Sequence, residues 1–444
     1  MKQKKCLMAL FIIAGIILSG CEEEQQQQPQ VKTFEELAVD IVTLLMENNF
    51  TGVYIFFDSS ISAQITAEDF ANIWEQQVIP TYGAINGIIR TRATNESGYT
   101  VVYTTCNFSK IGIFDVKILF NSEKKVVSLT VVPVQEESQY TPPSYVNLNL
   151  FTEEDVIIGS GERMLPGTLT VPKGTGPFPA VVLVHGSGPN DRDETYGPNK
   201  PFKDIAWGLA SLGVVVLRYE KRTKQYPSES VAIKNFTVED ETINDALAAV
   251  DLLNNSSHVN HSEVFVLGHS LGGMLAPQIA LQNNHITGLI LLAGPTRHLE
   301  DLMLEQTLYL ANLSGINQSE QIAAIKDLVE KIKNLDINES EEVLGAPKSY
   351  WVYLSTYDPV VTAHSLNIPM LILQGKRDYQ VTMTDFAQWN NTFNGTPSVT
   401  LRTYQYLNHF FIEGTGVPNN SEYLIEGHVA EEIISDIAVW IQNI

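Results

Sequence analysis

Val264-Phe265-Val266-Leu267-Gly268-His269-Ser270-Leu271-Gly272-Gly273-Met274 runs from a wholly apolar stretch into Gly-x-Ser-x-Gly and then into a helix-forming pattern. A serine at the tip of a tight strand-to-helix turn is held in a strained backbone conformation. Glycines two residues before and after it supply clearance that side chains would block. Such a turn exposes the Ser270 hydroxyl as a nucleophile and aims the N–H of Leu271 at the space where a tetrahedral oxyanion forms. The competing reading is a glycine-rich turn with an incidental serine. The strand before it and the helix after it favour the nucleophile.

Working outward, Ala180 to Val184, Val214 to Leu217, Leu289 to Leu292, Met370 to Leu373 and Val399 to Tyr404 are further apolar runs. They alternate with amphipathic helical patterns. One has a capping-box-like start at Thr237 and Asp240 and a stripe of Ile243, Ala246, Leu247, Val250 and Leu253; the final one carries Ala430, Ile433, Ile434, Ile437 and Ile441. Continuous apolar strands alternating with helices mark a mostly parallel sheet covered on both faces. The stretch 296–366 is too long for a simple crossover and reads as a helical cap. Tyr350, Trp351 and Tyr353 there either line a pocket or glue the cap to the sheet.

The second oxyanion donor is expected where the strand Ala180 to Val184 exits into His185-Gly186-Ser187-Gly188-Pro189-Asn190-Asp191-Arg192-Asp193-Glu194. The Ser187 N–H is the chosen donor, with that of Gly188 as its neighbour. His185 reads as a loop-ordering residue rather than a base. The charges at 191–194 form either a solvated rim or a rim that holds the loop.

In the chain order Ser, acid, His, Gly375-Lys376-Arg377-Asp378 puts Asp378 at a strand exit, the place for the acid. Asp385 falls inside the next helix and Asp358 before the strand. Downstream only His409 and His428 remain. His409, on the loop after the last strand, is the base, and His428 reads as surface or capping. Ser270, Asp378 and His409 are expected to meet in a hydrogen-bonded line at one mouth of the sheet. The other histidines show no metal-ligand spacing, so no metal and no cofactor is expected.

These segments resemble the α/β-hydrolase family over about 150–444. Gly188-Pro189-Asn190-Asp191-Arg192-Asp193-Glu194 and Leu217-Arg218-Tyr219-Glu220-Lys221-Arg222 resemble a bacterial esterase subgroup near the serine-aminopeptidase-like and dienelactone-hydrolase-like branches. In that subgroup an aspartate more often stands where Glu220 does. The resemblance implies an α/β-hydrolase fold, a helical cap and an acyl-enzyme mechanism.

Residues 31–134 read as a small α+β domain. A helical stripe (Phe34, Leu37, Ala38, Ile41, Leu44, Leu45) is followed by β-branched runs at Thr100 to Thr105, Ile113 to Phe120 and Lys125 to Val132. Trp74, Tyr82-Gly83 and Ile88-Ile89 resemble a small domain of unknown function that accompanies lipoprotein hydrolases. The polar, Pro-bearing 135–149 is the linker.

At the start, Lys2, Lys4 and Lys5 precede an apolar run from Cys6 to Leu18, then Ser19-Gly20-Cys21. The run is shorter than the ~20 residues of a membrane-spanning helix. Leu18-Ser19-Gly20-Cys21 resembles a bacterial lipobox, which implies a signal peptide over 1–20, lipidation of Cys21, a tether over 21–30 and an exported, extracytoplasmic, membrane-anchored protein. An ordinary secretory signal is the alternative. The net charge of -23 excludes unassisted nucleic-acid binding and leaves the acyl chains to hold the membrane.

The expected function is hydrolysis of a small-molecule carboxylic ester. A serine peptidase or acyl-transfer/thioesterase enzyme with the same triad, and a noncatalytic surface-binding lipoprotein, are the alternatives.

Overall fold

The computed structural model describes residues 32–96, 99–134, 140–161, 163–314 and 319–444. The expected signal, the tether and Cys21 lie outside these residues, as does 135–139 of the linker. The chain divides between Pro133 and Val134 into two compact units. Among the described residues no helix is long and apolar enough to cross a membrane.

The first unit opens with the helix Phe34–Met46, started by a reciprocal capping box between Thr33 and Glu36, a device that stabilises a helix start by about 1 kcal/mol. Its stripe buries Ala38, Ile41, Val42 and Leu45. Four antiparallel strands follow in sequential order: β1 (Ile85–Glu96), β2 (Tyr99–Phe108), β3 (Gly112–Phe120) and β4 (Val126–Pro133). The strand β1 was not among the expected runs, because Arg90, Arg92, Thr94 and Asn95 interrupt its apolar pattern. Val102, Cys106, Val116, Ile118 and Phe120 pack with the helices in one core. Burial pushes the Cys106 thiol up to about 12, with the Asp115 carboxylate adding to the effect.

The second unit is built on eight strands: β5 (Phe151–Ile158), β6 (Leu165–Pro172), β7 (Phe178–Val184), β8 (Val215–Tyr219), β9 (Val259–His269), β10 (Gly288–Leu292), β11 (Met370–Gly375) and β12 (Val399–Tyr404). Their spatial order is β12-β11-β10-β9-β7-β8-β6-β5. β7 to β12 pair in parallel, as the apolar runs require. β5 and β6 pair antiparallel with each other, and β6 with β8. Neither was among the expected runs: β5 is mostly exposed and polar, and Pro166, Gly167, Thr168 and Thr170 break up the apolar pattern of the buried β6.

Alternate residues enter opposite cores. Val182, Val184, Val264, Val266, Leu289, Leu291 and Ile372 meet the helices Asn244–Asn254, Leu271–Gln282 and Met383–Phe393. Val181, Leu183, Phe265, Leu267, Ile290, Leu292 and Leu371 meet Pro201–Ser211 and Glu431–Gln442. Each such side chain stabilises the unit by roughly 1.5–3 kcal/mol, so helices cover both faces of the sheet.

From β7 the chain steps to β8 on one side and returns to β9 on the other. The crevice beyond the carboxyl ends of β7 and β9 is therefore a topological switch point, where open α/β sheets place their sites. Between β10 and β11 lie the helices Leu299–Ser314, Ser319–Lys333, Lys348–Thr356 and Pro359–His364, the helical cap. Tyr350 and Trp351 are buried glue, not pocket wall: Tyr350 Oη donates to Glu241 Oε2 at 2.7 Å and Trp351 Nε1 to the Val343 carbonyl at 2.9 Å.

Candidate active site

Ser270 follows β9 with φ 52° and ψ -118°, a conformation that non-glycine residues rarely adopt, and the helix Leu271–Gln282 starts at the next residue. Both flanking glycines are compulsory. A Cβ on Gly268 would lie 2.2 Å from the Gly272 carbonyl oxygen, and one on Gly272 would lie 2.2 Å from the Val184 carbonyl oxygen. The turn is tied down by Ser270 N–H donating to the Leu292 carbonyl at 2.9 Å. Ser270 is half-buried between the buried His269 and Leu271.

Asp378 and His409 meet side chain to side chain. His409 Nδ1 lies 2.7 Å from Asp378 Oδ2, and both side chains are buried. Asp378 Oδ1 accepts from the N–H groups of Gln380 (2.8 Å) and Val381 (2.9 Å), and Oδ2 also accepts from Gln374 Nε2 at 3.1 Å. These hydrogen bonds fix the orientation of the carboxylate toward His409. The two loops touch backbone to backbone: Arg377 N–H donates to the Leu407 carbonyl at 3.0 Å, and a Cβ on Gly375 would lie 2.3 Å from that oxygen. Asn408 Oδ1 shapes the base loop by accepting from Phe410 and Ile412 N–H.

The line expected from Asp378 through His409 to Ser270 is formed in its first half only. Among the described residues the Ser270 hydroxyl makes no hydrogen bond to His409. A serine hydroxyl turns about one bond, and in apo structures such contacts are commonly long and tighten with substrate.

On the oxyanion side, a Cβ on Gly186 would lie 3.1 Å from Ser270 Cβ, so the loop after β7 lies directly against the nucleophile turn. Among the hydrogen bonds of the described residues, neither Leu271 N–H nor Ser187 N–H donates to a protein group. Leu271 N–H is one of the orphan donors of a helix N-terminus, where negative charge is favoured.

The charges at 191–194 hold the loop. Asp191 Oδ1 accepts from the N–H groups of Asp193 and Thr195, Asp193 pairs with Arg218 and Lys200, and Arg192 pairs with Glu220 at 2.7 Å. His185 orders the loop as well, its Nε2 3.0 Å from the Asp191 carbonyl. Burial lowers its pKa to about 4, so it is neutral at ordinary pH.

Two contributors escaped the sequence reading. Glu194 accepts from Gly186 N–H with Oε1 (2.7 Å), and its Oε2 lies 2.9 Å from His269 Nδ1. His269 in turn places Nε2 2.9 Å from the His409 carbonyl. Burial penalises both charges, yet their mutual attraction outweighs it, lowering the pKa of Glu194 and raising that of His269. The signal was a polar His269 closing an otherwise apolar buried strand.

Asp385 stands apart from the triad, fully buried and accepting from Thr296 and Arg297 at the start of the cap. Asp358 caps the helix Pro359–His364, and His428 pairs with Asp204. A cavity of about 220 Å³ opens between Met274 of the nucleophile helix and Thr296, Arg297, Tyr357 and Asp358.

A doubly covered, mostly parallel sheet with a strained serine turn after β9, an aspartate after β11 and a histidine after β12 is the architecture of an α/β-hydrolase. The family model described as "Serine aminopeptidase, S33" matches residues 179–413, and the chain belongs to that α/β-hydrolase family as a carboxylesterase-like hydrolase. A second model, "Protein of unknown function (DUF3887)", matches 38–129. The chain is 39% identical over 409 residues to Esterase EstD of Thermotoga maritima, covering 92% of this chain and 95% of that one. It is also similar to the solved structures of Est1E from Butyrivibrio proteoclasticus (16% identity, 65% of this chain and 99% of that chain, TM-score 0.45) and of a Pyrococcus furiosus esterase (18%, 66% and 91%, TM-score 0.42).

Proposed function

We propose that the protein hydrolyses carboxylic esters through an acyl-enzyme formed on Ser270. The observation that carries this reading is the 2.7 Å pair between His409 Nδ1 and Asp378 Oδ2 beside the strained Ser270 turn. With Nδ1–H given to Asp378, Nε2 is left to take the Ser270 proton as the hydroxyl attacks the acyl carbon. The N–H groups of Leu271 and Ser187 hold the oxyanion. The alcohol leaves with the proton from His409, and water then repeats the sequence in reverse to release the acid. Likeness to an esterase across nearly the whole chain supports an ester as the acyl donor.

The family's description as an aminopeptidase favours a second reading, amide hydrolysis by the same residues. A panel of p-nitrophenyl esters, aminoacyl anilides and acyl thioesters, run with wild type and Ser270→Ala, decides between them. Ester turnover that disappears in Ser270→Ala supports the first reading, anilide turnover the second. Full retention of ester hydrolysis in Ser270→Ala would refute both.

We also propose that the protein is exported and held at a membrane by acyl chains on Cys21, on the strength of Leu18-Ser19-Gly20-Cys21 and the polar stretch after it. Incorporation of labelled palmitate that is lost in Cys21→Ala tests this.

A further inference from the structure

The side chain of Lys221 is 2% exposed, yet it belongs to neither the nucleophile turn nor the acid and base loops. Its Nζ makes two contacts: it donates to the Gly186 carbonyl at 2.7 Å and pairs with Glu241 Oε1 at 2.8 Å. The Lys221 N–H also donates to the Asn190 carbonyl at 3.1 Å, which ties the segment after β8 to the oxyanion loop. Asn190 Nδ2 is the other donor to the Gly186 carbonyl, at 3.2 Å, and reaches the Ser187 carbonyl at 3.1 Å.

The peptide plane makes this placement consequential. The Gly186 carbonyl and the Ser187 N–H belong to one peptide unit, which is trans, so they point in opposite directions. A cation on the carbonyl therefore sends the N–H the other way, out of the protein interior, where Ser187 is exposed and the loop lies against Ser270. At the preceding peptide, Glu194 accepts from the Gly186 N–H at 2.7 Å, so the backbone leading into the unit is anchored as well as its carbonyl. A hydrogen bond to a charged donor is stronger than a neutral one, and one that draws electron density toward the carbonyl makes the N–H of the same amide a better donor.

We propose that Lys221 is a positioning residue for ester hydrolysis: it orients and polarises the Gly186–Ser187 peptide so that Ser187 N–H stabilises the oxyanion. The inference rests on the reading of Ser270 as nucleophile and Ser187 as oxyanion donor. Lys221 touches no reacting atom; it acts through the peptide.

The test compares wild type with Lys221→Met, and with Lys221→Met/Glu241→Gln, which leaves no unpaired buried carboxylate. Variants that melt as wild type should lose about tenfold to a hundredfold in kcat on a p-nitrophenyl ester, with KM within about twofold, because a supporting group is removed from a hydrogen bond that strengthens in the transition state. Affinity for a trifluoromethyl ketone, which forms the tetrahedral oxyanion, should fall by the same factor per active site counted with a fluorophosphonate. A role in stability alone would lower the count of active sites and leave both constants untouched. A folded variant whose kcat and ketone affinity stay within about twofold of wild type overturns the proposal. If neither variant folds, a crystal structure of the wild-type ketone adduct decides. An oxyanion within about 3.2 Å of Ser187 N, with Lys221 Nζ still on the Gly186 carbonyl, supports the proposal, and a Ser187 N–H turned elsewhere overturns it. Failure of the fluorophosphonate to label Ser270 in wild type would instead refute the nucleophile assignment.

Discussion

The imidazole of His269 reaches across to the loop of His409: Nε2 lies 2.9 Å from the His409 carbonyl oxygen and the two rings are 4.7 Å apart. The residue immediately before Ser270 thus grips the backbone at His409. Since Nδ1 of the same ring pairs with Glu194, one side chain joins the oxyanion loop, the serine turn and the base loop.

Glu194→Gln is expected to destabilise the protein by ~3 kcal/mol, the scale of breaking a buried ion pair. Glu194 is lowered from 4.5, so its share is present above pH 4.5 and is lost as pH falls through the folded value. His269 is raised from 6.5, so its share is present below pH 6.5 and is lost as pH rises through the folded value. The stability gap between wild type and Glu194→Gln, measured by urea unfolding, should be widest between pH 4.5 and pH 6.5 and narrow at alkaline pH. A gap that does not change with pH would count against the pair.

Ser270→Ala should lower kcat by about 10⁶-fold without lowering the melting temperature. Ser270→Gly should be equally inactive yet more stable by about 1 kcal/mol, since glycine relieves the backbone at φ 52°. Equal or lower stability of the glycine variant would show that the turn is unstrained.

Asp378→Asn and Asp385→Asn separate a catalytic carboxylate from a structural one. The first should lower kcat by roughly 10⁴-fold while the protein stays folded. The second removes the charge that Arg297 and the Thr296 N–H surround, and should destabilise by ~3 kcal/mol while folded molecules keep kcat within about tenfold. Steady-state kinetics beside thermal melts would expose an inverted pattern.

Gly272→Ala places a methyl 2.2 Å from the Val184 carbonyl, so the strand, the helix or both must shift, at ~3 kcal/mol or more. Gly188→Ala meets open space and bears only the strain of φ 93°, about 1 kcal/mol. Similar denaturation midpoints for the two would contradict the close packing of β7 against the nucleophile helix.

The places of Ser270, Asp378 and His409 in the fold were legible because each lies beyond the end of an apolar strand, and an apolar run announces its own end. Asp378 follows Met370-Leu371-Ile372-Leu373-Gln374 after the turn Gly375-Lys376-Arg377, and His409 follows β12 by one short loop. Glu194 and Lys221 were not legible as site residues. Each lies in a run of charges that looks the same whether its members face solvent or a partner, and only burial separates Lys221 (2% exposed) from an ordinary surface lysine. The strands β1 and β5 were hidden for the opposite reason: polar side chains interrupt the pattern that periodicity relies on. Within the cap helix Leu299–Ser314, Leu302 is buried, whereas Leu304 and Leu308 line a groove.

The sulfur of Cys106, enclosed in the core of the first unit, has a practical use. It is the one cysteine among the described residues, so an alkylating reagent added to protein lacking Cys6 and Cys21 can react only when that unit opens. The rate of adduct formation is then a stopwatch on local opening, readable by mass spectrometry while turnover of a chromogenic ester is followed in the same tube.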